Sequence, residues 1–165
     1  MLHAALYHPA IPQNTGNAAR TCVGFNTHLH VIHPASFQIT DASAQRAGLD
    51  YWPHLNLTEH ADDDAFLRWL DGRKPWLITK LGTHRFDQAP YEDGDVLLFG
   101  NENTGLPDAW HHLWPDRGIY IPVLGPIRSF NVANTVAICT AQATARAGLA
   151  NAHNFAGEKI DRMRP

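Results

Sequence analysis

The segment Val96–Phe99 is continuously apolar, and a glycine follows it directly. A strand of this kind is typical of a parallel sheet covered on both faces, whereas a strand with one solvated face alternates. Other short apolar segments predict strands at residues 2–7, 28–32, 76–79 and 119–123. Helical patterns lie between or after them, at residues 14–25, 41–47, 58–70 and 131–147. The sequence therefore predicts an α/β fold with a parallel sheet and helices on both faces.

Three of the predicted helices begin at residues that can cap a helix. Asn14 or Thr15 can cap the first, and Thr58 precedes a run of acids that suits the positive end of another. The last helix follows Ser129 and Asn131. One of these two serves as its cap, which leaves the other free for chemistry.

Length and composition indicate one domain. The chain has 165 residues, of which 44% are apolar, enough for one core. We expect residues 1–148 to form this domain and residues 149–165 to be a polar tail. We see no secretory signal and no apolar run long enough to cross a bilayer. Cys22 and Cys139 lie in apolar, helix-like contexts, so we expect buried thiols and a cytoplasmic protein.

Charge and histidine content do not identify a ligand by themselves. The net charge of −3 is not that of a typical nucleic-acid binder, although local basic clusters can still contact phosphates. His28 and His30 would share one strand face, as two zinc ligands could. Because no cysteine or acidic pair completes a site nearby, we predict surface or edge-strand histidines and no metal. We interpret His33 and the adjacent His111 and His112 in the same way.

Three loops that contain glycine follow the last three predicted strands, at residues 79–83, 100–105 and 124–129. Ligands of parallel sheets bind beyond the carboxyl ends of the strands, so we expect the site among these loops. No Gly-x-Gly-x-x-Gly follows the first strand, and the chain contains no Gly-Lys-Ser/Thr phosphate loop. These absences disfavour an ordinary dinucleotide-binding oxidoreductase and a P-loop enzyme.

Charged residues stand out in two of the polar motifs on this apolar frame. Arg20 follows Gly16 by four residues, so both share one helix face and the arginine projects a fixed cation. Taken alone, a capped helix with a surface arginine explains this motif. Glu102 follows Gly100 at the mouth of an apolar strand. A turn before a helix near Pro107 explains the neighbouring residues but not this carboxylate.

In order and spacing, the motifs resemble the SpoU branch of the SPOUT methyltransferases. The matching elements are an Asn-x-Gly-x-x-x-Arg helix, a Phe-Gly-x-Glu-x-x-Gly-Leu loop, and Ile-Pro followed by Ser-x-Asn at the last helix. Residues 6–17 and 46–51 look more like a compact subgroup that methylates the ribose of the tRNA wobble nucleotide, cytidine or uridine. The resemblance runs from residue 2 to residue 148 and implies a tRNA 2′-O-methyltransferase that uses S-adenosylmethionine.

The resemblance implies a deep trefoil knot in the C-terminal part of the domain, which connection rules alone would not predict. It also implies that the cofactor binds in this knot, against Ile78, Gly100, Ile121 and Ser129, where the two isoleucines suit an adenine slot. A homodimer is expected as well. Small or apolar residues on one side of the last helix could form its interface: Ala133, Val136, Ala137, Thr140, Ala141 and Thr144.

The catalytic residues implied by the resemblance are Arg20, Glu102, Ser129 and Asn131. Arg20, supplied by the partner subunit, would stabilise the developing oxyanion and grip a phosphate. Ser129 and Asn131 would orient the ribose hydroxyl and Arg20. Glu102 would hold Arg20 or a backbone amide in place.

Two other functions stay open beside this one. The same chemistry on ribosomal RNA is one, although the lack of an extra N-terminal RNA-binding domain favours a small target such as a tRNA anticodon stem-loop. A non-catalytic RNA-binding protein with the same fold is the other. The chain also departs from the subgroup in two loops: Lys80 is separated from Gly82 by one residue, and residues 125–127 lack an acid.

Overall fold

A computed structural model of the chain describes residues 1–37 and 50–149. The strands within them are β1 (His3–Tyr7), β2 (His28–Ile32), β3 (Leu57–His60), β4 (Trp76–Ile78), β5 (His84–Arg85), β6 (Val96–Phe99) and β7 (Gly118–Tyr120). They form a single seven-stranded sheet in the order β3-β2-β1-β6-β4-β7-β5. All neighbouring pairs run parallel, so the predicted parallel sheet is confirmed.

Helices cover both faces of this sheet, as predicted. They are α1 (Pro12–Gly24), α2 (Asp63–Leu70), α3 (Asp108–Leu113) and α4 (Val132–Arg146), with a short 3-10 helix at Trp52–His54. The helices α1 and α4 pack on one face through residues such as Ala18, Cys22, Val136 and Cys139. On the other face, α2 and α3 contribute Phe66, Leu70 and Trp110. The core therefore has two layers, one on each side of the sheet.

The central strand β6 shows why its sequence is apolar throughout. Leu97 and Phe99 point into the core beneath α1 and α4. Val96 and Leu98 point into the core beneath α2 and α3. All four side chains are buried, and burying one such side chain contributes about 1.5–3 kcal/mol.

Several predicted elements are confirmed. The strands β2 and β6 have the predicted bounds, and the helix expected near Pro107 is α3, which follows that proline. Both cysteines are buried free thiols, as predicted. Asn131 caps α4, since its side-chain oxygen accepts hydrogen bonds from the amides of Ala133 and Asn134.

The helix predicted at residues 58–70 is wrong in its first part. Residues 57–60 form β3, which pairs with β2 over four residues, and the helix α2 begins only at Asp63. Asp62 caps this helix in place of Thr58, and its carboxylate accepts a hydrogen bond of 2.7 Å from the amide of Ala65. Pairing with a distant strand edge decides the conformation of residues 57–60, and the local cap-like pattern does not.

Two further boundaries differ from the prediction. The helix α1 begins at Pro12, and its N-cap residue, Ile11, makes no capping hydrogen bond through its side chain. Asn14 and Thr15 therefore lie inside the helix, where both are buried. The strand β7 ends at Tyr120 instead of residue 123. Proline at position 122 has no amide hydrogen to donate to a neighbouring strand.

The prediction of surface or edge-strand histidines is wrong for His30. Its strand, β2, lies between β3 and β1, and the residue is only 1% exposed. His60 is buried as well, at 5% exposure, whereas His28 and His33 are half-buried. The histidines of β1, β2 and β3 therefore belong partly to the interior of the protein.

Some predictions fall on residues that the structure does not describe. The helix predicted at residues 41–47 lies outside the described residues, and so does the predicted tail after Leu149. In the described part of the chain, no helix has the length and apolar character needed to cross a membrane.

Candidate active site

The three loops predicted to carry the site lie side by side. They follow β4, β6 and β7, and β4 pairs with both of the other two strands. Because the three strands are parallel, their carboxyl ends meet at one edge of the sheet. The structure therefore brings together the loops in which the sequence places the cofactor.

Gly100 is required by the loop that follows β6. A Cβ atom at this position would lie 2.5 Å from the carbonyl carbon of Gly105 and 2.7 Å from the nitrogen of Leu106. Asn101 and Gly105 exchange backbone hydrogen bonds of 3.1 and 2.9 Å, and Gly105 adopts a positive φ of 74°. Gly100 thus allows the loop to fold back on itself. A larger residue here would disrupt the loop before it met any cofactor.

A second close backbone approach joins the loop after β4 to β7. A Cβ atom on Gly82 would lie 2.5 Å from the backbone of Ile119, and one on Gly118 would lie 2.8 Å from the Cα of Gly82. The sequence predicts Gly82 only as a loop glycine and does not indicate this contact. The pair of glycines brings the first loop of the site against the last strand.

Glu102 binds the amino end of α1. Its carboxylate accepts hydrogen bonds from the amides of Ala10 at 2.8 Å and Ile11 at 3.2 Å, and from the side-chain amide of Asn14 at 3.1 Å. A negative charge at this position is favourable, because the amino end of a helix is electropositive. Of the two partners that the sequence analysis considered for Glu102, the structure shows backbone amides.

Asn14 connects this carboxylate to the last helix. The side-chain amide of Asn131 donates a hydrogen bond of 2.9 Å to the side-chain oxygen of Asn14, which is 6% exposed. The oxygen of Asn131 caps α4, so both polar atoms of its side chain are in use. A chain of hydrogen bonds therefore runs from Glu102 through Asn14 to Asn131. We call these three residues the linked trio.

Ser129 and Arg20 are not part of the linked trio. Ser129 is exposed, on the loop that leads into α4, and Arg20 is exposed on α1. The guanidinium carbon of Arg20 lies 5.3 Å from the centre of the Tyr51 ring. The Tyr51 hydroxyl donates a hydrogen bond of 2.8 Å to the carbonyl of Gly16. Among the described residues, neither Arg20 nor Ser129 has an ion pair or side-chain hydrogen bond.

The predicted cofactor-contacting residues line the same edge. Ile78 and Ile121 are half-buried, and both pack against the core beneath α1 and α4. The loop beyond them exposes apolar side chains, with Leu124 97% and Ile127 52% exposed. Half-buried isoleucines beside these loops suit the flat apolar face of an adenine ring.

A small gap in the packing lies beside the linked trio. It is found between the end of β1, α1 and the loop after β6, and its lining includes Leu6, Thr15, Gly100, Glu102 and Val132. The hydroxyl oxygen of Thr15 is buried without a hydrogen-bond partner among the described residues. Most buried polar groups in proteins are hydrogen-bonded, so this hydroxyl is an exception. The sequence predicts Thr15 only as a possible cap and does not indicate that its hydroxyl is buried.

Comparison with known proteins places the chain in a family. The sequence profile of the SpoU rRNA Methylase family matches residues 1–141. A tRNA (cytidine(34)-2'-O)-methyltransferase of Escherichia coli (strain K12) is 38% identical over 149 residues, 90% of this chain and 95% of the relative. A relative of the same name from Methylovorus glucosotrophus (strain SIP3-4) is 34% identical over 158 residues, 95% of this chain and 99% of the relative.

Solved structures agree with this assignment. One that concerns the 2-OH methylation of C/U34 on tRNA has a TM-score of 0.83 and 38% identity, and covers 91% of this chain and 98% of its own. AviRb from Streptomyces viridochromogenes, in complex with AdoMet, has a TM-score of 0.74 at 22% identity over 90% of this chain and 61% of its own. At that identity the likeness shows the fold alone. The chain belongs to the SpoU rRNA methylase family.

Proposed function

We propose that this protein transfers a methyl group from S-adenosylmethionine to the 2′-oxygen of the wobble nucleotide, cytidine or uridine, of a tRNA. The observation that carries the proposal is the linked trio, which fixes the amino ends of α1 and α4 beside the cofactor loops. This arrangement holds the helix of Arg20 and the loop of Ser129 in place around the carboxyl edge of the sheet. The names of the relatives from Escherichia coli and Methylovorus glucosotrophus support the substrate.

The residues at this edge fit the cofactor. Ile78 and Ile121 would hold the adenine, with backbone groups near Gly100 and the hydroxyl of Ser129 as polar contacts. When bound, S-adenosylmethionine supplies a methyl group activated by a sulfonium. The protein must hold the ribose hydroxyl in line with that group at roughly 3–3.5 Å, which is the work of its RNA-binding residues.

Arg20 stabilises negative charge that develops on the ribose oxygen. An arginine side chain stays protonated at neutral pH, so it acts as a fixed cation and not as a simple base. Its exposure leaves it available to a ribose oxygen or a phosphate. Ser129 orients the hydroxyl. Asn131 and Glu102 act as positioning residues, because their side-chain polar atoms already bind other parts of the protein.

The active enzyme is a homodimer in this proposal, with Arg20 reaching the cofactor of the partner subunit. The predicted interface on α4 needs correction, because four of its six residues are buried within the chain: Ala133, Val136, Thr140 and Thr144. Val136 belongs to the core that α4 shares with α1. Exposed apolar residues on the loop before α4 favour that loop as the interface: Leu124, Ile127 and Phe130. We also propose that the C-terminal part of the domain forms a trefoil knot and that the protein is cytoplasmic.

Ribosomal RNA is the second candidate substrate, since the name of the matching family refers to it. The decisive experiment uses two separate reactions, both with labelled S-adenosylmethionine. One contains total bacterial tRNA, and the other contains ribosomal RNA. We expect label in tRNA, and nuclease mapping should place it on the ribose of the wobble nucleotide. Label confined to ribosomal RNA would support the second candidate. RNA binding without label would support a non-catalytic protein.

A further inference from the structure

Three histidines from two neighbouring strands come together at the opposite end of the sheet. His3 opens β1, and His28 and His30 lie on β2. One ring nitrogen from each lies within 4.8 Å of the others. Nδ1 of His3 lies 3.0 Å from Nε2 of His30. We call these residues the histidine triad.

The strand register explains why the side chains converge. His3 pairs with His28, and Ala5 pairs with His30, in the parallel ladder of β1 and β2. Residues at paired and alternate positions of such a ladder share one face of the sheet. All three imidazoles therefore point towards the layer that contains α2. There Trp69 packs against two of them, with its ring centre 4.0 Å from that of His30 and 5.2 Å from that of His3.

Hydrogen bonds to neighbouring residues fix the orientation of His30 and His28. Nδ1 of His30 lies 3.0 Å from Nε2 of the buried His60, and Nε2 of His28 lies 2.8 Å from the hydroxyl of Thr58. Metal-bound histidines almost always hydrogen-bond through their second ring nitrogen, which fixes the tautomer and the ring orientation. Nε2 of His30 faces His3 while its Nδ1 is engaged by His60, so this ring already has that arrangement.

We propose that His3, His28 and His30 bind a divalent transition metal ion of the zinc class, with the remaining coordination position open to water. Three histidines with an open fourth position are an established zinc ligand set. Two nitrogens bound to one tetrahedral ion at about 2.1 Å lie about 3.4 Å apart. The observed 3.0 Å between His3 and His30 is close to this separation. His60 is a positioning residue for His30.

This site is separate from the proposed methyltransferase site. His3 and His28 are the first residues of their strands, whereas the cofactor loops follow the carboxyl ends of β4, β6 and β7. His3 lies four residues before the end of β1, a distance of about 13 Å along the strand. The ion would tie β1 to β2 and stabilise the fold, and methyl transfer would not depend on it.

The test is a titration of the untagged, chelator-treated protein with Co²⁺ and Zn²⁺. We expect one Co²⁺ per chain with the visible absorption of a four-coordinate ion, displaced by Zn²⁺, and a higher melting temperature with Zn²⁺. His3→Asn combined with His28→Asn should weaken binding at least about 100-fold, and His60→Gln about 10-fold. The matched control, His111→Asn combined with His112→Asn, should bind as the unchanged protein does.

Two results would overturn the site: no stoichiometric binding by the unchanged protein, or equal binding by the triad variant and the control. Footprinting of the unchanged protein makes the test independent of any folding defect in the variants. Zn²⁺ should protect His3 and His28 from diethyl pyrocarbonate and leave His111 and His112 reactive. Equal modification with and without Zn²⁺ would contradict the proposal. Methyl transfer measured with and without chelator keeps this result distinct from the proposed enzymatic function.

Discussion

The linked trio of Glu102, Asn14 and Asn131 differs from Arg20 and Ser129 in how its polar atoms are used. Every side-chain oxygen and amide nitrogen of the trio has a hydrogen-bond partner inside the protein. Arg20 and Ser129 are exposed, and among the described residues neither makes a side-chain hydrogen bond or an ion pair. Folding therefore builds the trio, whereas Arg20 and Ser129 remain available to cofactor, RNA or a second subunit.

This difference predicts separable effects of substitution. Changes in the trio should act mainly on stability and, through the position of the helices, on catalysis. Changes at Arg20 and Ser129 should act on catalysis with little effect on stability, because surface substitutions usually cost less than about 0.5 kcal/mol.

The largest expected effect concerns the buried thiols of the two helices, α1 and α4, that the trio joins. Cys22 on α1 and Cys139 on α4 are fully buried, and burial raises the pKa of each thiol from 9.0 to about 12. The reactive thiolate is therefore suppressed about 10³-fold below pH 9 relative to an ordinary thiol. Labelling with a disulfide reagent should proceed only with unfolding, or as the pH approaches 12. Rapid labelling of the folded protein at pH 8 would show that α1 and α4 separate readily.

The next effect is on catalysis. Arg20→Ala should lower the methyl-transfer rate by about 10²-fold or more, as expected when a donor that stabilises an oxyanion is lost. The affinity for S-adenosylmethionine, measured by calorimetry, should barely change. Arg68→Ala, which removes an exposed arginine from α2, is the matched control. A large loss of cofactor affinity in Arg20→Ala would place Arg20 at the cofactor instead.

Glu102→Ala should destabilise the protein by about 1–3 kcal/mol, because it leaves the amides at the start of α1 without their acceptor. Thermal unfolding should show a melting temperature lower by about 2–4 °C per kcal/mol. Glu102→Gln keeps one acceptor oxygen, so its loss should be smaller. An unchanged melting temperature in Glu102→Ala would contradict a structural role for the trio.

Ser129→Ala should have the smallest effect. It removes the hydroxyl that we propose contacts the bound cofactor, and one neutral hydrogen bond is worth about 1 kcal/mol, or about fivefold in binding or rate. Because Ser129 lies on a proposed cofactor loop, both cofactor affinity and rate should fall, with no change in melting temperature. A change in stability alone would assign Ser129 to the fold.

The parts of the fold that were predicted correctly depend on local patterns. The apolar run of β6 and the cap at Asn131 are visible within a few residues of sequence. The sequence predicts a helix from residue 58 because Thr58 and the following acids resemble a helix start, but residues 57–60 form a strand. Their strand depends on pairing with β2, almost thirty residues earlier, which no local pattern reveals.

The candidate site shows the same limit. The family resemblance implies roles for Arg20, Glu102, Ser129 and Asn131, but it does not indicate that Asn14 joins Glu102 to Asn131. Asn14 was interpreted as a cap because the start of α1 at Pro12 was not predicted. Its contacts with Glu102 and Asn131 join residues 88 and 117 positions apart. His3 likewise joins the other histidines only through the pairing of β1 with β2.

The central claim is that Arg20 completes an active site in the partner subunit, and a mixed dimer tests it most directly. Gly100→Val is unsuitable for blocking the cofactor, since its side chain would clash within its own loop. Ile121→Arg places a charged side chain in the proposed adenine slot from a half-exposed loop position. In a heterodimer of Arg20→Ala and Ile121→Arg subunits, one site keeps both an intact cofactor slot and an arginine from the other chain.

We predict that neither variant homodimer methylates tRNA at a substantial rate and that mixing the two restores part of the activity. Heterodimer formation is checked with a different affinity tag on each subunit. Both tags are removed before the activity is measured. Restored activity in proportion to the heterodimer would support a shared site. If heterodimers form and activity is not restored, Arg20 acts within its own subunit and the account of the site is wrong.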